Sequence, residues 1–420
     1  MVERNWAGNV AYGAARFDVP TSVADIQAIV AASSKLRAVG SRHSFNAIAD
    51  TDGDLVSLAA LPRVVELDPQ ARTVTVDGGI KYGELATRLH ENGWALANLA
   101  SLPHISVAGA CATATHGSGV GNGNLATAVQ AIEMVTASGD LVDVSRDDDP
   151  DTMDAITVGL GAFGIVTRLT LAVEPTFAVA QRVFEHLSMQ TAVDRLPEIM
   201  ADGYSVSLFT MWGRHEIEQL WRKHRVADDT DNDDDASSPR YGAMPAIREM
   251  HPIAEVAPDA CTEQLGVAGP WHERLPHFRM GFTPSSGEEL QSELFVDRAD
   301  ASAAMRALVE LHDVLAPVLK VSEVRAVAAD NLWLSMCYQR DSIAFHFTWI
   351  QSWSDVQPVL ARVEAALAPF AARPHWGKLS TLGGADLRLR FERLVDFERL
   401  AKEWDPTRKF RNAYLDSVLA

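Results

Sequence analysis

Cysteine is scarce in this 420-residue chain: Cys111, Cys261 and Cys337 are the only three. They are odd in number, far apart and without a CxxC pair, which argues against a disulfide framework and against a thiolate metal site; no metal is expected. Positive charge is also short, with 37 Lys and Arg against 56 Asp and Glu and a formal charge of −19. A surface that acidic repels phosphate backbones and anionic lipids, so neither nucleic acid nor a membrane surface is an expected partner. No apolar run is long enough to span a bilayer, and the opening "MVERNWAGNVAYGAARFDVP" lacks the apolar core of a signal peptide. Cytoplasmic residence is the default expectation. No repeat of fixed period is visible.

What is present suits two or three domains with cores of their own: 47% of the residues are hydrophobic and 22% charged, with a mean hydropathy of −0.03. The first third alternates short helices and strands. In residues 22–36 Ile26, Ile29 and Val30 share a helical stripe, residues 72–80 alternate like a strand that stops at Gly78-Gly79, and Leu85 and Leu89 give residues 81–94 helical spacing. Residues 165–175 read as a strand closed by Pro175. Beyond it come most of the aromatics, longer strands such as 205–212 and helices such as 301–319, so a domain boundary is placed near 175. Residues 227–239, "ADDTDNDDDASSP", form a solvated loop. A calcium loop starting at Asp229 would need Gly at 234 and Glu at 240, where Asp234 and Arg240 stand.

"GLGAFG" is a literal GxGxxG (Gly159, Gly161, Gly164), with Glu185 about 20 residues on. A dinucleotide fingerprint needs a strand before it and a helix after it. Here the preceding "DTMDAITV" looks helical and the following segment alternates like a strand, so the order is reversed.

Two segments stand out. Between Glu91 and Glu133 there is no Asp, Glu, Lys or Arg, and the interval holds "ASLPHISVAGACATATHGSGVGNGN". Small side chains and accessible backbone N–H groups suit a cradle for an anionic ligand, although the same residues also serve tight backbone packing. The second segment, "VGSRHSFN", follows a strand and carries His43, either bonded to a loop carbonyl or chemically active.

Together these segments resemble the flavin domain of the vanillyl-alcohol-oxidase-like flavoproteins, and within them the alditol (xylitol) oxidases, relatives of the sugar-1,4-lactone oxidases. The similarity runs on through "CTEQLGVAGPWHERLPHFRMGFTPSSGEELQSE", "AARPHWGKL" and "WDPTRKFRNAYLD". It implies an α+β fold of two domains: a PCMH-type FAD-binding domain over 1–175 and a substrate-binding cap over 176–375, built on an antiparallel sheet flanked by helices. Residues 376–420 return to the flavin domain. The resemblance implies FAD bonded covalently to His43, with Ala38, Val39, Gly40, Ser41, Arg42 and Ser44 around the diphosphate. Ser101, Ser106, Gly109, Thr113, Ala114, Thr115 and His116 are expected along the flavin, and Ile165 and Val166 near the adenine. Family members tend to carry glycine where Arg42 and Ala114 stand, and a positive φ at either position would strain the backbone by about 1 kcal/mol or more.

In the second domain Glu323 and Arg325 are two apart on one strand and share a face. His346 and Thr348 do the same, opposite Phe345, Phe347 and Trp349, and "LQSELFV" adds Gln291. By periodicity that polar face could equally be plain solvent surface. The resemblance of "ARPHWGKL" implies a flavin-contacting His375 and a substrate-site Lys378. It makes Ser101, Gln291, Glu323, Arg325, His346, Thr348 and Lys378 the substrate residues, with Arg325, Lys378, Glu323 and His346 catalytic. The expected reaction oxidises the terminal primary alcohol of a polyol to the aldose, with O2 reoxidising the flavin to give H2O2. A lactone oxidase or dehydrogenase of the same fold is the alternative enzyme, and a flavin- or polyol-binding protein without turnover the alternative outside enzymes. A monomer is expected.

Overall fold

Short β-branched runs that stop at Gly, Ser or Asp build the first part of the chain into two small sheets. The computed structural model describes residues 3–226, 238–282 and 288–419. In it β1 (Arg16–Asp18), β2 (Leu36–Val39) and β3 (Asp54–Ser57) form a parallel sheet in the order β1-β3-β2. The strands β4 (Val65–Asp68), β5 (Thr73–Asp77), β6 (Val129–Val135), β7 (Leu141–Ser145) and β8 (Ile165–Ala172) form an antiparallel sheet in the order β4-β5-β8-β6-β7. Helix α1 (Val23–Ala32) starts where Ser22 accepts from the Asp25 N–H, and it buries Ile26 and Val30, two residues of the expected stripe. Helix α2 (Tyr82–Glu91) buries Leu85 and Leu89. Around "GLGAFG" a helix at Pro150–Ile156 comes first and β8 follows, which is the reversed order that excludes a dinucleotide fingerprint there.

The second sheet system is larger. Strands β9 (Ala178–Ser188), β10 (Ser205–Thr210), β11 (Glu216–Arg225), β12 (Leu290–Asp297), β13 (Leu319–Val327) and β14 (Ser342–Trp349) run antiparallel in the order β9-β11-β10-β13-β14-β12. Short pieces at Met244–Pro245, Gly269–Pro270 and Arg373–Pro374 bring the sheet to nine strands. Phe345, Phe347 and Trp349 pack on one face against helices α3 (Ala301–Val309) and α4 (Trp353–Leu367). Removing each ring from water stabilises the packing by roughly 1.5–3 kcal/mol. The helical stretch expected over 301–319 is divided, with a separate turn at His312–Leu315. Of the loop expected at 227–239, residues 227–237 lie outside the described residues.

The last part of the chain closes the first. The Leu36 N–H donates to the Lys409 carbonyl, the buried Arg37 guanidinium to the Phe410 carbonyl at 2.8 Å, and Lys409 Nζ to the carbonyls of Val30 (2.6 Å) and Ala137 (2.9 Å). Phe410 is buried with Ile26, Val30 and Leu36. Asn412 Nδ2 donates to the carbonyls of Ala47, Ile48 and Asp50. Among the described residues no helix is long and apolar enough to cross a membrane.

Candidate active site

β2 ends at Val39, and the loop after it runs against the start of the short helix Val107–Ala112. A Cβ on Gly40 would stand 2.1 Å from Ser106 Oγ and 3.2 Å from its Cβ, so a larger residue would force the Ser106 side chain aside. The Ser106 N–H donates to Ser41 Oγ at 3.2 Å. Among the described residues the amides of Ser41, Arg42, His43 and Ser44 donate to no acceptor, while the Phe45 N–H is taken by the Gly377 carbonyl. Four adjacent free amides beside small side chains fit the diphosphate of FAD.

His43 sits in this loop under the N-terminal arm. Its ring stacks on Trp6 at 5.1 Å between centroids and 20° between planes, and its Nδ1 lies 3.1 Å from the Ser41 carbonyl oxygen. Asn5 Nδ2 donates to the Ser44 carbonyl and the Trp6 N–H to the Arg42 carbonyl, which pins the arm to the loop. Burial pushes the His43 pKa down to about 4, so the imidazole is neutral and keeps a nucleophilic lone pair. Arg42 and Ala114 both hold positive φ, 63° and 52°, the geometry that would strain a residue other than glycine. The Arg42 guanidinium pairs with Glu3 and lies 5.2 Å from the Phe17 ring.

The cradle opens into the second sheet as one cavity, about 2250 Å³ of empty space with the solvent at its mouth included. The polar face of β12, β13 and β14 is its far wall. Glu323, Arg325, His346 and Thr348 are each less than 10% exposed, which overturns the solvent-surface reading: residues of the first domain lie across from that face. Strand register sets the pattern, with Glu323 beside His346, His346 beside Glu293, and Thr348 beside Gln291.

Two linked groups of charges result. Lys378 Nζ donates to Glu293 Oε2 at 2.7 Å and to His346 Nδ1 at 2.8 Å, and His346 Nε2 lies 3.2 Å from Thr348 Oγ1. His116 Nε2 stands 3.1 Å from Glu293 Oε1. Burial works against the Glu293 charge, yet Lys378 and His116 hold its carboxyl well below the ordinary range. Burial pushes His346 down to about 3 with the help of Lys378, and it lowers Lys378 against the pull of Glu293. In the second group, Glu323 meets His277 Nε2 at 2.7 Å and Arg325 at 2.5 Å, and these two overcome burial to hold it ionised. Burial pushes His277 down to about 4 and the neighbouring Lys223 down to about 7. Ser101 Oγ, Arg325 Nε, Arg37 Nε and His251 Nε2, all on residues lining the cavity, are buried with no partner among the described residues.

Every substrate position read from the sequence lines this cavity, as does every cofactor position except Ala114 and Ile165. Alternation along β8 turns Val166 to the cavity and Ile165 into the core with Ile26 and Phe410, and Ala114 points into the core of the first domain. Sequence reasoning missed Glu293, His277, Lys223 and Trp6. Glu293 carried a signal, since it lies two residues from Gln291 on the same strand face. The others carried no local one.

The FAD binding domain family matches residues 14–145, and the D-arabinono-1,4-lactone oxidase family matches residues 289–418. An alditol oxidase of Streptomyces sp. is 46% identical over 419 residues, covering 99% of this chain and 98% of its own. An L-gulono-1,4-lactone dehydrogenase of Mycobacterium tuberculosis is 28% identical over 435 residues, with 99% and 98% covered. Among solved structures, cholesterol oxidase from B. sterolicum shares the fold, with a TM-score of 0.78 at 12% identity over 100% of this chain and 96% of that one.

Proposed function

Since the chain belongs to the family of FAD-binding alditol and sugar-1,4-lactone oxidases, we propose that it oxidises the terminal primary alcohol of an alditol such as xylitol or sorbitol to the aldose. The observation that carries this reading is the single cavity joining an amide-lined cradle to a wall of buried Glu323, Arg325, His346 and Thr348 with the partly buried Lys378. A chain of hydroxyls satisfies such a wall, and a substrate lacking one would leave a buried partner unpaired. On this reading residues 1–175 bind FAD, 176–375 form the substrate cap and 376–420 return to the flavin domain. The free, buried Cys111, Cys261 and Cys337 suit a reducing compartment, and cytoplasmic residence is part of the proposal.

FAD held in the cradle would supply the hydride acceptor and a route for the electrons to O2, with H2O2 as product. The residues of this chain do the rest. The amides of Ser41–Ser44 would hold the diphosphate, and the neutral His43 would carry the flavin covalently. Arg325 and Lys378 stabilise negative charge developing on the substrate oxygen, and Glu323 accepts from a neighbouring hydroxyl. Lys378 Nζ also receives the proton. As a neutral amine it donates one hydrogen to Glu293 Oε2 and one to His346 Nδ1, and it keeps a lone pair for the substrate hydroxyl.

Acid precipitation of the purified protein tests the cofactor, and a peroxide assay with sorbitol or xylitol beside an aldonolactone tests the substrate. Yellow colour in the pellet and peroxide from the polyol are expected. Colour in the supernatant removes the covalent bond, and preference for the lactone makes the protein a lactone oxidase. A yellow protein that oxidises neither is a flavin-binding protein without this activity.

A further inference from the structure

Behind the wall lies a buried cation with no part in the mechanism above. Lys223, on β11, is 1% exposed and is not among the residues lining the cavity. Its Nζ meets the carbonyl oxygens of Leu275 at 2.6 Å and Pro276 at 3.0 Å, and His277 Nδ1 at 3.2 Å. The other titratable groups bearing on it are Glu323, Arg325 and Cys261. His277 is held in turn from the other side, its backbone N–H donating to the Ser101 carbonyl at 3.1 Å and its Nε2 lying 2.7 Å from Glu323 Oε1.

The hydrogens in this chain can be counted. Carbonyl oxygens only accept, so lysine gives one hydrogen to each. An ionised carboxylate only accepts, so His277 Nε2 must carry a hydrogen. Nδ1 of a neutral His277 is then a bare acceptor, and the third ammonium hydrogen meets it. Moving that proton from Nζ to Nδ1 preserves all four contacts. Removing it sets lone pair against lone pair, either between Nζ and Nδ1 or between Nε2 and Glu323.

We propose that Lys223 is a positioning residue: it fixes the Nε2–H tautomer of His277 and thereby holds the Glu323 carboxylate in the orientation that receives a substrate hydroxyl. The substrate part rests on the alditol reading; the tautomer part does not. Lys223 acts through His277 and touches no substrate.

The test is side-chain NMR of the full-length flavoprotein labelled with ring-15N histidine, the His277 signals assigned by their loss in His277→Asn. A protonated Nε2 with a bare Nδ1 is expected; both nitrogens protonated overturns the proposal, since an imidazolium leaves no tautomer for Lys223 to fix. A protonated Nδ1 with a bare Nε2 overturns the proposal without any need for a variant. In Lys223→Met the bare Nδ1 loses its partner while Glu323 still accepts from Nε2, so the signature should blur into a mixture of tautomers and kcat/KM for sorbitol should fall about tenfold or more, mainly through KM. Lys223→Gln keeps an N–H for Nδ1 and should restore both the signature and most of kcat/KM. Equal losses in the two variants, or an unchanged KM in Lys223→Met, overturn it. Failure of the alditol reading shows separately, as a wild-type flavin that sorbitol does not bleach while the His277 signals still report which ring nitrogen is protonated.

Discussion

The cradle and the wall face each other across one cavity and are made in opposite ways. The cradle offers its backbone to a ligand: four free amides after β2, glycine at the closest approach, and small residues over an interval without formal charge. The wall uses side chains, with two carboxylates, an arginine, a lysine and several histidines buried together and paired. A backbone site tolerates substitution wherever φ and space allow. A site of buried charges fails when one partner is removed, because the other is left uncompensated.

That contrast predicts where damage spreads. The largest effect belongs to the wall: Lys378→Ala should slow anaerobic flavin reduction by sorbitol at least about 100-fold and abolish its rise with pH, with flavin still in the acid pellet. Near-normal reduction in a stopped-flow trace would remove Lys378 from the chemistry, and loss of flavin would join two regions held here to be separate.

Acid should also enter through the wall. His277 and His346 have folded pKa values of about 4 and about 3, below the 6.5 of an unfolded histidine. The unfolded chain therefore binds protons more readily as pH falls. Stability is full above pH 6.5 and is lost progressively towards pH 4, roughly 3 kcal/mol for a shift the size of that at His277. Thermal midpoints measured from pH 8 to 4 check this, and a flat profile would mean that those imidazoles are solvated.

The smallest effect isolates the cradle backbone. Arg42→Ala and Arg42→Gly both lose the Glu3 pair, but only glycine relieves the positive φ. Glycine should leave the protein more stable than alanine by about 1 kcal/mol in denaturant unfolding.

The two regions were also unequally readable. The cradle announced itself, because a backbone site needs small residues in sequence and places its histidine beside them. Helices α1 and α2 and strand β5 followed from periodicity, since each buries one face. On the wall, period two put Glu323 with Arg325 and His346 with Thr348. It did not say whether that face was wet, because what lies across from it comes from the first domain. The tie between Lys223 and His277 crosses 54 residues and depends on strand register meeting a loop, which no local pattern encodes. Resemblance placed Ile165 and Ala114 along the cofactor, whereas strand alternation and a left-handed turn direct their side chains into the core.

The closure of the first domain by Leu36, Arg37, Lys409 and Asn412 sets an order of events during synthesis. The strand leading into His43 bonds to a carbonyl 373 residues later in the chain, so the cap must emerge from the ribosome before the cradle can be completed. FAD capture is then expected to follow synthesis, since a nascent chain stalled within the second domain offers the cofactor only a half-built seat. Yellow colour would then be expected only of chains read through at least to Asn412.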